Sequence, residues 1–133
     1  MNPKARRKAR EMALQAIYSW QISGDSMADI ELHFLTDQDT AGCDLEYFRE
    51  LISGVASQVK SLDARLAALT SRPLDEVDQI DKAILRLSAF ELTARQTPYR
   101  VVINEAVELA KVFAQDDSHK FVNGVLDKMA PRS

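Results

Sequence analysis

The sequence predicts an all-α protein, a compact bundle of about six or seven helices forming one domain over residues 1–133. Three observations lead there. Apolar residues recur at spacings of three and four along most of the chain, helix-ending signals at Gly24, Pro73 and Pro98 separate these stretches, and no stretch alternates with the period of two that a strand needs. Only four Gly and four Pro leave little punctuation for an all-β design. With 46% hydrophobic and 28% charged residues the chain has the composition of a globular fold, and 133 residues suffice for one core.

The first helix is marked by Ala9, Met12, Ala13, Ala16, Ile17 and Trp20, and it stops at Ser23-Gly24. A shorter helix is expected from about Met27 to Leu35, carrying Ile30 and Phe34, followed by a polar, acidic surface loop from Thr36 to Gly42. Asp44 is the N-cap of a long third helix. Its stripe runs through Leu45, Phe48, Leu51, Ile52, Val55, Val59, Leu62, Leu66 and Leu69, with Gly54 as a candidate bend and Arg72-Pro73 as its end. A fourth helix spans Val77 or Gln79 to Ala94, turning Ile80, Ile84, Leu87 and Phe90 inward, before Thr97-Pro98 breaks the chain. A fifth covers Val102 to Ala114. The sixth follows Asp117-Ser118, with Ser118 as its cap, and ends before Pro131. Short connections between amphipathic helices bring neighbours together antiparallel or steeply crossed around one core.

Several function classes find no support. No apolar run is long enough to span a bilayer, and Met1-Asn2-Pro3-Lys4 leads into charge without a signal-peptide core. The lone Cys43 cannot form an internal bridge, so a cytoplasmic protein with an ordinary free thiol is expected. The chain has no phosphate-cradling glycine loop and no nucleophile elbow. His33 and His119 lack neighbours at metal-ligand spacing. The acids Asp75, Glu76, Asp78 and Asp81, and the pair Asp116 and Asp117, read as helix-start residues. A binding protein without cofactor is expected, not an enzyme.

The net charge of −3 hides an uneven distribution. Lys4, Arg6, Arg7, Lys8 and Arg10 crowd the first ten residues without an acid among them. Residues 25–50 carry Asp25, Asp29, Glu31, Asp37, Asp39, Asp44, Glu46 and Glu50 against Arg49 alone. On a helix Arg6 and Arg10 share a face, as do Lys4 and Lys8, while Arg7 sits above Glu11. A charge run usually forms a solvated face. Cations at a helix N-terminus, however, oppose the macrodipole at about 0.3–1 kcal/mol each, so the crowding points to a polyanionic ligand. The sixth helix repeats the oddity, because His119 and Lys120 lie beside its free N–H groups, where a phosphate could sit. Phe121 could stack on an unpaired base, and Phe121 and Phe113 could equally be core residues; the spacing leaves both readings open.

Two stretches carry a resemblance. Residues Arg6-Arg7-Lys8-Ala9-Arg10-Glu11-Met12-Ala13-Leu14-Gln15-Ala16-Ile17-Tyr18-Ser19-Trp20 resemble the opening helix of the NusB family of bacterial transcription antitermination factors. Ile103-Asn104-Glu105-Ala106-Val107-Glu108-Leu109-Ala110-Lys111, followed by Lys120-Phe121-Val122-Asn123-Gly124-Val125-Leu126-Asp127, resembles that family's carboxy-terminal signature. Ile84-Leu85-Arg86 and Phe90-Glu91-Leu92 extend the likeness through nearly the whole chain. It implies an all-α bundle that binds the single-stranded boxA element of nascent ribosomal RNA leaders. Binding would be joint with the ribosomal protein NusE, in a larger complex with other Nus factors and RNA polymerase that prevents premature termination.

By the same resemblance the RNA-facing residues are Arg6, Arg7, Arg10, Lys111, Phe113, His119, Lys120 and Phe121, and the NusE surface includes Tyr18, Glu76, Asp81 and Arg86. The short leader before Arg6 and the compact Arg95-Gln96-Thr97-Pro98 loop depart from the pattern, which blurs loop contacts. A similar fold occurs as an accessory domain of RNA-cytosine methyltransferases, but this chain has neither their length nor a cofactor-binding glycine loop. The rival reading is a protein–protein interaction module without intrinsic RNA binding.

Overall fold

Asn2 opens the first helix by accepting hydrogen bonds on Oδ1 from the backbone N–H groups of Lys4 (2.9 Å) and Ala5 (3.3 Å), and Pro3 follows at a position where no N–H is missed. The structure is a computed structural model that describes residues 2–130. Helix α1, Pro3–Ser23, ends where Gly24 adopts the left-handed conformation (φ 76°) and returns its N–H to the Trp20 carbonyl. Its inner face is built of Ala9, Met12, Ala13, Leu14, Ala16 and Ile17, and the alanines let neighbouring helices approach closely.

Helix α2, Met27–Asp37, is capped by Ser26 and buries only Ile30 and Phe34. It runs two residues past the expected end, with the Thr36 hydroxyl donating to the Leu32 carbonyl at 2.8 Å, so the acidic loop begins at Gln38. Helix α3, Leu45–Ala67, has Asp44 as its cap, as its sequence predicts. It ends five residues before Arg72. The Leu69 N–H turns to the Leu66 carbonyl, and the Thr70 hydroxyl donates to the Arg72 carbonyl, so the approach to Pro73 is a turn. Gly54 is no bend. An added Cβ there would lie 2.2 Å from the Phe90 ring, which makes Gly54 the seat that lets α3 meet the next helix.

A 3-10 turn, Leu74–Glu76, precedes helix α4, Gln79–Ala94, whose cap is Asp78. Asp75 and Glu76 therefore lie before the helix that they were expected to start. Helix α4 is buried on nearly every side, through Ala83, Ile84, Leu85, Leu87, Ala89, Phe90 and Leu92, and packs against α1 and α3. Helix α5, Tyr99–Phe113, begins three residues earlier than expected because Pro98 presets the entry and its carbonyl accepts from Val101 and Val102. Helix α6 is Ser118–Met129. Its cap position is Asp117, and Ser118, expected there, is its first helical residue and is buried. Pro131, the expected stop, lies outside the described residues.

Both α5 and α6 pack on α4, so α4 is the axis of the bundle. Leu14, Ile17, Phe48, Leu51, Ile52, Ile84, Leu85, Leu87 and Leu126 are fully buried in one shared core. Leu45, counted in the α3 stripe, is instead exposed, while Tyr47 takes an inward position. Cys43 is half-buried, and burial pushes its thiol up from the usual range, which suits an unreactive thiol.

Candidate nucleic-acid interface

The basic start of α1 faces α4 and α5, and most of its charge is answered from within the molecule. Arg10 is 4% exposed; its Nε and Nη2 donate to the Glu91 carboxylate at 3.0–3.2 Å, and its Nη1 lies 3.8 Å from Glu105. The Tyr47 hydroxyl donates to the same Glu91. Burial opposes the charge on Arg10, yet the Glu91 contacts win and hold its pKa above the ordinary value. Burial also pushes the Tyr47 phenol up, so it stays a donor.

Arg7 reaches across to α5, where Nε and Nη2 bind Glu105 at 3.0 and 2.7 Å in a fork. The hydrogen bond and charge of Arg7 hold the Glu105 carboxyl below its ordinary value. Arg6 shares the face of Arg10, as spacing required, and its guanidinium stacks 3.6 Å over the Tyr47 ring. Lys8 donates to the Ala41 carbonyl. Lys4 is exposed and makes no ion pair among the described residues. A cavity of about 420 Å³ remains between these first turns and the α4–α5 connection, lined by Lys4, Arg6, Arg7, Thr97, Pro98 and Val101 among others.

This geometry corrects the charge argument. The cations at the wrong pole of α1 do not wait unpaired for a polyanion, because Glu91 and Glu105 neutralise Arg10 and Arg7. Arg10 is internal and offers a phosphate no free fork. Arg7 keeps a half-exposed side chain, and Glu105, not Glu11, is its partner.

The second cluster gathers where α5 ends and α6 begins. Lys111 is exposed and lies 3.6 Å from Glu108; Lys120 is exposed and lies 3.6 Å from Asp117. His119 is half-buried, with Nδ1 3.0 Å from the Asp116 carbonyl. Phe113 and Phe121 both resolve to an intermediate state, each resting partly on the core. The Arg72 guanidinium stands 4.8 Å from the Phe121 ring centre. Asp117 makes no side-chain capping bond, so the backbone donors of the first turn of α6 lack that neutralisation. Helix α5 joins the two clusters, with Glu105 and Lys111 about 9 Å apart along its axis. Glu105 and Glu108 stand between them, so the positive surface is interrupted.

The four residues expected on a partner surface divide evenly. Tyr18 is 36% exposed and Glu76 is exposed on its turn. Asp81 is buried at 4% exposure. Arg86 binds Asp63 through Nε and Nη2 at 2.9 and 2.7 Å and Gln21 through Nη1 at 3.1 Å, which leaves it little to offer outside. Residue-by-residue reading missed Tyr47, Glu91, Glu105 and Arg72. The first three hold the α1 cations from helices far away in sequence, and no local spacing signals that.

Comparison with known proteins agrees with the fold and motifs. The NusB family model matches residues 7–131. The transcription antitermination protein NusB of Photorhabdus laumondii is 62% identical over 132 residues, covering 98% of this chain and 96% of that protein. The protein of the same name from Shewanella pealeana is 57% identical, covering 100% and 99%. Among solved structures, T. maritima NusB superposes with a TM-score of 0.83 at 27% identity, over 97% of this chain and 91% of that one. A crystal structure of the antitermination factors NusB and NusE in complex with double-stranded RNA superposes with a TM-score of 0.79 at 23% identity, over 96% and 97%.

Proposed function

The chain belongs to the NusB family, and from that membership we propose that it acts in transcription antitermination in the bacterial cytoplasm, binding the boxA element of nascent ribosomal RNA leaders jointly with NusE. The observation that carries the RNA reading is the corner of α5 and α6. There Lys111 lies near the end of α5 and His119 and Lys120 lie in the first turn of α6 next to Phe121, and the Asp117 side chain makes no capping bond. Cations suit phosphates, and a half-exposed ring suits an unstacked base. Lys4, Arg6 and Arg7 add a secondary contact at the other end of α5. The exposed Tyr18 and Glu76 are the contacts proposed for NusE, whose place in the complex leads on to other Nus factors and RNA polymerase. No step in this function calls for catalysis.

One observation favours the rival module. Arg7 and Arg10 have internal carboxylate partners, so the basic helix start is weaker as an RNA site than its composition suggests. Competition decides between the two readings. A labelled single-stranded boxA RNA is titrated with the protein, with and without NusE, against its scramble and a duplex of the same sequence, at two salt concentrations. Preference for boxA that weakens with salt is the expected result. Absence of RNA binding in every arm, with NusE still bound, would establish the module instead.

A further inference from the structure

We propose that the exposed face of α6 from Lys120 to Lys128 carries the sugar–phosphate backbone of the RNA strand past Gly124, where the missing side chain lets the strand lie directly on the helix. The proposal rests on the RNA-binding reading and extends the strand's course about two turns along α6. The chain has four glycines, and the fold explains three of them. Gly24 and Gly42 hold left-handed conformations (φ 76° and 75°), and Gly54 makes room for the Phe90 ring. Gly124 stands inside α6 without a positive φ, and an added Cβ there would meet nothing within 4 Å. Glycine at that position weakens the helix relative to alanine, and no packing within the molecule requires it. The space above it is open to a partner, and only a partner that touches the helix backbone gains from the missing side chain.

The charges on that face select the partner. Lys120 and Lys128 stand one turn to either side of Gly124, each about 6 Å away along the axis, and both are exposed. Lys120 is held loosely, 3.6 Å from Asp117, and Lys128 makes no ion pair among the described residues. Helical side chains lean towards the N-terminus, so Lys128 leans back over the turn that Gly124 leaves bare. Phe121 precedes Gly124 by three residues and shares its side of the helix, so a strand with a base on that ring continues over Gly124 to Lys128. Asp127 flanks this track on the side away from Phe121 and is engaged within the molecule. Two cations bracketing bare helix backbone suit a chain of phosphates. A packed helix from a protein partner would need apolar neighbours, and the exposed residues around Gly124 are Asn123, Asp127 and Lys128.

The test reads folding and RNA binding on the same variants of the whole protein. Gly124→Ala should melt about 3–5 °C above the wild-type protein, because alanine favours the helix. It should nevertheless bind labelled single-stranded boxA RNA at least about fivefold more weakly, the low end of an overpacked contact. Contacts to the strand's backbone carry no sequence information, so a scrambled RNA should lose as much. Lys128→Ala should flatten the log–log salt dependence by about 0.7, so the wild-type advantage shrinks about threefold over a fourfold rise in salt. A Gly124→Ala variant that melts higher and binds both RNAs as tightly as the wild-type protein overturns the proposal. So does a loss confined to boxA, or a slope that Lys128→Ala leaves unmoved. Should Gly124→Ala melt below the wild-type protein, the Lys128→Ala slope decides alone. Loss of NusE binding in Gly124→Ala, with RNA binding intact, would assign the face to a protein partner and overturn the strand's course. Failure of the wild-type protein to bind either RNA would remove the RNA function itself, an outcome distinct from binding that ignores both substitutions.

Discussion

Arg10 and Arg7 lie three positions apart on one helix and meet opposite fates, which makes their consequences separable. Arg10 with Glu91 is a buried pair, and removing one member strands a charge away from water. Arg10→Ala should therefore cost about 3–5 kcal/mol of stability, read from denaturant unfolding, and should leave the salt dependence of RNA binding unchanged in the folded fraction. A flattened salt slope in a fully stable variant would return Arg10 to the phosphate contacts. Arg7 is half-exposed, and Glu105 occupies it where a phosphate would otherwise sit. Glu105→Gln should release it, strengthening RNA binding and steepening the log–log salt slope by about 0.7. The same carboxylate gives a pH signature. Its pKa is lowered in the folded state, so its contribution to stability is complete above the unfolded value and is lost as pH falls through the folded one. Melting temperatures measured down an acid series should accordingly fall less in Glu105→Gln than in the wild-type protein.

At the level of elements, α3 and α4 meet closely where Gly54 faces Phe90. The Phe90 ring fills the space that any side chain there would need. Gly54→Ala must move that ring, and overpacking of this kind costs about 1–3 kcal/mol. Chemical denaturation of Gly54→Ala and of the double variant Gly54→Ala/Phe90→Leu checks this. The double variant should recover part of the loss, because the smaller side chain vacates the contested volume. A Gly54→Ala variant as stable as the wild-type protein would show that α3 and α4 can slide apart at no cost. The same glycine shows how an element can be legible while its packing is not. Apolar spacing located α3 and α4 to within a few residues, and a glycine in a helical pattern suggested a bend. Its purpose lies in a ring 36 positions away.

For the whole molecule, legibility follows the range of the interaction. Helix caps at Asp44 and Gly24 and the Pro98 break act within a few residues, so the local sequence carries them. The motif around Ile103–Lys111 and Lys120–Asp127 points to the corner of α5 and α6 through resemblance. Pairing of Arg7 with Glu105 and Arg10 with Glu91 spans 98 and 81 positions, and composition counts such cations as available when folding has already engaged them. The phosphate count should thus be smaller than the basic content suggests. Lys111 and Lys120 are exposed lysines at the end of α5 and the start of α6, each facing an acid at only 3.6 Å and both largely solvated. If each neutralises one phosphate, Lys111→Ala and Lys120→Ala should each flatten the slope by about 0.7, and together by about 1.4. Titration of one boxA RNA across a salt series measures this directly. A slope unmoved by either substitution, alongside one flattened by Lys4→Ala, would place the strand on the start of α1 and leave the far corner to another partner.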